Sequence, residues 1–168
     1  MTSGIDQTNH PAKLEIVAHR GASAYAPENT LASLKEAKER GICSAEIDVR
    51  LSADGVVFLF HDEDLGRCSN GQGLAESKSM AELAALDAGG WKAEKYRGEA
   101  IVSLEEVLRN YGNDLKIFVE IKSGLGIENK ILELLKRYAI ARDQVVIMAF
   151  DLQRVAAIKK MEPQYRAF

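Results

Sequence analysis

The sequence predicts an α/β protein built from parallel β/α units, and three observations carry that prediction. Short β-rich apolar runs recur along the chain: LEIVA at 14–18, ICSAEIDVRLS at 42–52, DLKIFVEIK at 114–122 and DQVVIMAF at 143–150. Stretches with apolar residues at helical spacing separate them, and capping or turn residues mark each change of type. Strands that alternate with helices pair in parallel and are covered on both faces, which suits runs this apolar.

The elements follow in order. LEIVA is bounded by turn signals and reads as a buried strand ending at His19, Arg20 and Gly21. PENTLASLKEAKERG is a helix with Asn29 or Thr30 as cap, Leu31, Leu34 and Ala37 on one face, and Gly41 as stop. ICSAEIDVRLS alternates as a strand does. Asp54-Gly55 supplies a turn, and VVFLF returns as a short strand ending at His61. A glycine-rich loop, GRCSNGQG, follows. Capping boxes at Ser79/Glu82 and Ser103/Glu106 then open two helices. After the strand DLKIFVEIK, Ile127, Ile131, Leu134, Leu135 and Tyr138 recur at helical spacing. DQVVIMAF is a further strand, Asp151 caps the helix LQRVAAIKKM, Pro163 ends it, and QYRAF begins one more strand.

With 168 residues and 46% hydrophobic content, one domain with a sizeable core is expected. Residues 1–13 read as a polar tail, in which His10 has no expected role, and 14–168 as the domain. A net charge of −3 without a local basic patch argues against nucleic acid as a partner. No 18-residue apolar run exists, so no stable membrane insertion is expected, and without a signal-peptide pattern a cytoplasmic location is the default. Cys43 and Cys68 match no metal or redox spacing. Cys43 is expected to pack as a small apolar side chain and Cys68 to lie in a loop.

Residues two apart in a strand share a face, so Glu46 and Asp48 project together, as do Glu120 and Lys122. His19, Arg20 and His61 fall at strand ends, and active sites of parallel β/α proteins gather at the carboxyl ends of strands. Taken singly, each group has an ordinary structural explanation. Their coincidence at one mouth points to a site. Three converging carboxylates repel unless protonated or bridged, and a hard divalent ion with oxygen ligands, Ca²⁺ or Mg²⁺, resolves that conflict. Arg20 and Lys122 beside such an ion suit a phosphate, and two histidines can divide the proton transfers of phosphodiester cleavage. Trp91, after Gly89-Gly90, fits an aromatic pocket wall and a structural plug equally well.

Together these residues resemble the glycerophosphodiester phosphodiesterase family. The matches are HRG at 19–21, APENT at 26–30, EIDV at 46–49, ADG at 53–55, HDEDLGR at 61–67, LDAGGW at 86–91, SLEEVL at 103–108 and VEIK at 119–122. The resemblance implies a TIM-type (β/α) barrel with a small insertion after the second strand, at about 62–100. It also implies divalent-cation-dependent hydrolysis of a small-molecule glycerophosphodiester to glycerol 3-phosphate and an alcohol. Carried over, His19 and His61 match the acid/base pair, Arg20 and Lys122 the phosphate contacts, and Glu46, Asp48 and Glu120 the metal carboxylates; Trp91 falls on the substrate side. Cys68-Ser69 and Val102-Ser103 depart from the family's Thr-Thr and Pro-Thr. A barrel of eight units takes ~250 residues, so the expectation is a barrel truncated to about five units, with open edges that invite self-association. Two rival readings are a lysophospholipase D- or phosphoinositide phospholipase C-like lipid phosphodiesterase, disfavoured by polar loops, and an inactive fragment that binds phosphate esters.

Overall fold

The computed structural model describes residues 14–124 and 126–168, so the amino-terminal tail and His10 lie outside the described residues. Strands β1 (Val17–Ala18), β2 (Ser44–Leu51), β3 (Val57–Leu59), β4 (Lys116–Ile121), β5 (Val145–Met148) and β6 (Arg166–Ala167) form one sheet. Among the described residues the α-helices are α1 (Leu31–Glu39), α2 (Met80–Ala84), α3 (Leu104–Tyr111), α4 (Ile127–Arg137) and α5 (Leu152–Met161). The order β1-β2-β4-β5-β6 is parallel throughout, as the alternation predicts. β3 departs from it: it pairs antiparallel with β2, returning through the Asp54-Gly55 turn with Arg50 opposite Phe58.

Local signals fix the helices. Thr30, not Asn29, caps α1: its hydroxyl accepts from Ser33 N while the Ser33 hydroxyl receives the Thr30 N–H. Ser79/Glu82 and Ser103/Glu106 form the reciprocal boxes the sequence announces, and the Asp151 side chain caps α5. Each satisfies backbone N–H groups that the first helical turn leaves without partners.

β2 is covered on both faces. Ala45, Ile47 and Val49 are sealed in the main core, which extends through Leu34 of α1, Leu104 of α3 and Ile131 of α4. The stretch 62–100 has little regular structure beyond α2 and single 3-10 turns, and it packs on a second apolar cluster that includes Phe58, Phe60, Leu65 and Leu83. The expectation for Cys43 is overturned, while Cys68 does lie in a loop. Cys43 is exposed beside Gly41 at the start of β2, whereas Cys68 is buried in that second cluster. Cys43 lies just before the strand, outside the alternation that buries its neighbours; Cys68 lies in a loop whose interior has its own core. Among the described residues no helix is long and apolar enough to cross a membrane.

Candidate functional site

The site begins with strand alternation. Ala45, Ile47 and Val49 take one face of β2, so Glu46, Asp48 and Arg50 take the other, and all three are buried. Parallel register sets Glu120 of β4 beside Asp48. As a result, one carboxylate oxygen from each of Glu46, Asp48 and Glu120 lies within 4.8 Å of the others. Gathering three negative charges, two of them at buried positions, costs several kcal/mol per buried ion unless cations or hydrogen bonds offset it.

Part of the offset is visible. Lys122 follows β4, and its Nζ lies 3.3 Å from Asp48 Oδ1 while hydrogen-bonding Glu120 Oε1. Arg20 Nε lies 3.3 Å from Asp48 Oδ2, though not aligned for a hydrogen bond, and Arg20 N–H donates to Glu46 Oε2 at 2.7 Å. Among the described residues Glu46 Oε1 is buried without a partner. Desolvation, reinforced by the charges of Asp48 and Glu120, pushes the Glu46 carboxyl up to about 7. A hard divalent cation fits this donor set: the donors are all oxygens, they converge, and one is unsatisfied.

β1 delivers the second part. Arg20 and Gly21 both adopt left-handed backbone, with φ of 54° and 73°, which turns the chain sharply after His19. The turn is pinned because Gly21 N–H donates to Glu46 O at 3.1 Å, and Arg20 O accepts from Asn29 N and from the Ser33 hydroxyl, each at 3.0 Å. His19 Nε2 then lies 3.9 Å from Glu46 Oε2, with most of the ring open to solvent.

His61 comes from the end of β3. Phe60 N–H donates to Asp48 O at 3.1 Å, which ties that end to the acidic cluster's own strand. The buried Arg50 guanidinium donates to the His61 carbonyl from Nε at 3.1 Å and Nη2 at 2.8 Å. Trp91 stands apart from these ion pairs. Its indole N–H donates to Ala88 O at 2.8 Å and the residue is 41% exposed.

Sequence reasoning missed Asn29. Its Nδ2 donates to Asp48 Oδ2 at 2.8 Å and its Oδ1 accepts from Asp48 N at 3.0 Å, so it holds both the side chain and the backbone of Asp48. The sequence shows only that Asn29 and Thr30 compete for one cap; the structure gives the cap to Thr30 and the Asn29 amide to Asp48. Arg50 was likewise passed over.

Against known proteins, the model of the glycerophosphoryl diester phosphodiesterase family matches residues 19–168. A glycerophosphodiester phosphodiesterase of Caldanaerobacter subterraneus subsp. tengcongensis is 38% identical over 159 residues, which cover 92% of this chain and 65% of that protein. Among solved structures, a glycerophosphodiester phosphodiesterase from Agrobacterium tumefaciens aligns with a TM-score of 0.85 at 33% identity, covering 91% of this chain and 65% of that one. A phosphodiesterase from Oleispira antarctica, solved with the product sn-glycerol-3-phosphate, aligns at 0.83 and 38%, covering 92% and 64%. The chain thus spans less than two thirds of the length of each of these relatives. The architecture is that of a TIM-type barrel, of which the chain supplies about five of the eight β/α units. Because the family match runs through every strand end described above, the chain belongs to the glycerophosphoryl diester phosphodiesterase family.

Proposed function

We propose that this chain carries the hydrolytic centre of a glycerophosphodiester phosphodiesterase, which splits a small glycerophosphodiester into glycerol 3-phosphate and an alcohol. The observation that carries the reading is the convergence of Glu46, Asp48 and Glu120 within 4.8 Å, flanked by two fixed cations and two histidines. Likeness to relatives that bear this name, one of them solved with sn-glycerol-3-phosphate, supports it.

Glu46, Asp48 and Glu120 would hold a hard divalent cation, Ca²⁺ or Mg²⁺. When bound, that ion supplies positive charge to polarise the phosphate. Arg20 brings a planar, permanently charged fork to the phosphate oxygens, and Lys122 brings a compact point charge. Both are already oriented by carboxylates, so little reorganisation is needed as charge grows on the phosphate. His19 and His61 divide the proton transfers: one takes the proton of the attacking hydroxyl or water, the other protonates the departing oxygen. Their attachment to different strands, β1 and β3, suits work on opposite sides of one phosphorus. The site residues spread over β1 to β4 of one domain, residues 14–168, with 62–100 inserted after the second parallel strand and its antiparallel partner β3.

The test is release of glycerol 3-phosphate from glycerophosphocholine by the 168-residue chain, with Ca²⁺ or Mg²⁺ and with EDTA, beside Glu46→Ala and His19→Ala. The reading requires cation-dependent release that both substitutions abolish. No release from chain shown by circular dichroism to be folded overturns it.

A further inference from the structure

We infer that Asp62, held by Arg67 and through it by Glu28, is a positioning residue that fixes the His61 ring, with the ring proton on Nδ1 and Nε2 left as the free nitrogen. This rests on the reading that His61 moves protons in the proposed reaction, but the hydrogen-bond pattern that carries it is independent of that reading.

His61 Nδ1 lies 2.5 Å from Asp62 Oδ1. A neutral imidazole has one N–H and one lone pair, whereas an ionised carboxylate only accepts. A contact this short therefore places the proton on Nδ1. Asp62 is ionised: hydrogen bonds from Arg67, joined by that from His61, hold its carboxyl far below the usual range. Its neighbours leave it no freedom. Oδ2 accepts from Arg67 Nε at 2.5 Å, and Oδ1 also accepts from Arg67 Nη2 at 3.0 Å, a forked pair that fixes the plane of the carboxylate.

Arg67 is in turn held from its far side. Nη1 donates to Glu28 Oε2 at 3.0 Å and Nη2 to Glu28 Oε1 at 2.7 Å. Glu28 Oε1 also receives Arg20 Nη1 at 2.8 Å. One line of ion pairs therefore runs from Arg20 at the end of β1, through Glu28, Arg67 and Asp62, to His61 at the end of β3. It couples the phosphate-facing arginine to the histidine across the site mouth. The backbone of His61 is anchored separately by the two bonds from Arg50 to its carbonyl. The freedom left to His61 is rotation of the ring, and Asp62 removes it.

Stability alone is a weak reason for such a network. Arg67 is nearly half exposed, and exposed ion pairs contribute at most about 1 kcal/mol each. Two carboxylates clamping both edges of one guanidinium determine orientation far more than they determine stability.

The experiment uses the full chain with ¹⁵N-labelled histidine, the His61 signals being assigned by loss in His61→Gln. Long-range ¹H–¹⁵N spectra read the tautomer, and initial rates on glycerophosphocholine read kcat and KM. In the unsubstituted chain, His61 carries its proton on Nδ1. Asp62→Asn abolishes that preference and lowers kcat about 10²-fold with KM within about twofold, matching the contribution of one acid/base group. Arg67→Gln keeps the carboxylate and loses a smaller factor in kcat. A proton on Nε2 in the unsubstituted chain overturns the inference, as does Asp62→Asn with tautomer and kcat unchanged. If the unsubstituted chain shows no hydrolysis, the phosphodiesterase reading fails while the tautomer of the unsubstituted chain still decides the role of Asp62. That measurement does not depend on the folding of Asp62→Asn or Arg67→Gln.

Discussion

Substituting Gly21 by Ala tests the turn that delivers His19 and Arg20. A Cβ at that position meets Ser33 Oγ at 2.2 Å, Ser33 Cβ at 2.6 Å and the Ser33 carbonyl carbon at 2.8 Å. Ser33 cannot step aside cheaply, because it is fully buried and its hydroxyl donates to Arg20 O and Thr30 O while capping α1. The left-handed φ of 73° adds a cost of about 1–2 kcal/mol for any residue with a Cβ. Overpacking adds about 1–3 kcal/mol, for a total of about 2–5 kcal/mol.

Gly41 supplies the control. It has nearly the same backbone, φ 75°, but among the described residues nothing lies within 4 Å of where a Cβ would sit, so Gly41→Ala bears only the backbone cost of about 1–2 kcal/mol. Urea unfolding followed by circular dichroism, in EDTA at fixed pH, measures both. Gly21→Ala is expected to lose at least about 1 kcal/mol more than Gly41→Ala, and at a temperature where both remain folded only Gly21→Ala should lose cation affinity. Equal losses, or intact cation binding in Gly21→Ala, would refute the claim that the Gly21–Ser33 contact holds the strand end in place.

Four further outcomes follow from the same geometry. Glu46 ionises near 7 in the metal-free fold against 4.5 when unfolded, so the fold holds the extra proton between those values and loses stability as pH rises through them. Glu46→Gln should therefore stabilise the EDTA-treated chain by up to about 3 kcal/mol at pH 8 and by little at pH 4.5, while removing stabilisation by Ca²⁺ or Mg²⁺; urea melts at both pH values decide it. Asn29→Ala deletes two hydrogen bonds to Asp48 and should weaken cation binding about 10- to 100-fold by calorimetry, with Asp48 still present. Burial pushes the Cys68 thiol up to about 12, so iodoacetamide at pH 8 should label only the exposed Cys43, and both cysteines once urea is added. Leu14 and Ile16 precede the edge strand β1, while Phe150, Leu152 and Phe168 lie exposed near the β5–β6 edge, so sedimentation velocity should show association rising with concentration.

The β/α alternation was legible because the runs are short, apolar and separated by capping residues that the structure uses as written. The acidic cluster was legible for a geometric reason: two-residue periodicity needs no tertiary information to place Glu46 and Asp48 together. Glu120 required the assumption that β2 and β4 are neighbours, which the consecutive order of parallel units supplies once β3 is set aside. Asn29, Arg50, Asp62 and Arg67 were not legible in the same way. Asn29 finds its partner 19 residues away and Arg67 meets Glu28 39 residues away, while Asp62 meets His61 and Arg67 nearby but in a loop with no period to read. The burial of Cys68 was not legible for the complementary reason: within the loop where the sequence places it, burial depends on a packing cluster that has no period to read.

The position of β2 explains why so many of these groups meet. It pairs with β1, β3 and β4, so the ends that carry His19, His61 and Glu120 each lie one strand spacing, about 4.8 Å, from the strand that carries Glu46 and Asp48. Strands on both edges and side chains packed on both faces leave β2 almost wholly buried. Burial is also what leaves Glu46 Oε1 without a partner and raises its carboxyl's affinity for a proton. The arrangement that brings the groups together thus creates the unfavourable electrostatics that a cation would relieve. The site is assembled at a cost to the metal-free fold, and the Glu46→Gln experiment measures that cost directly.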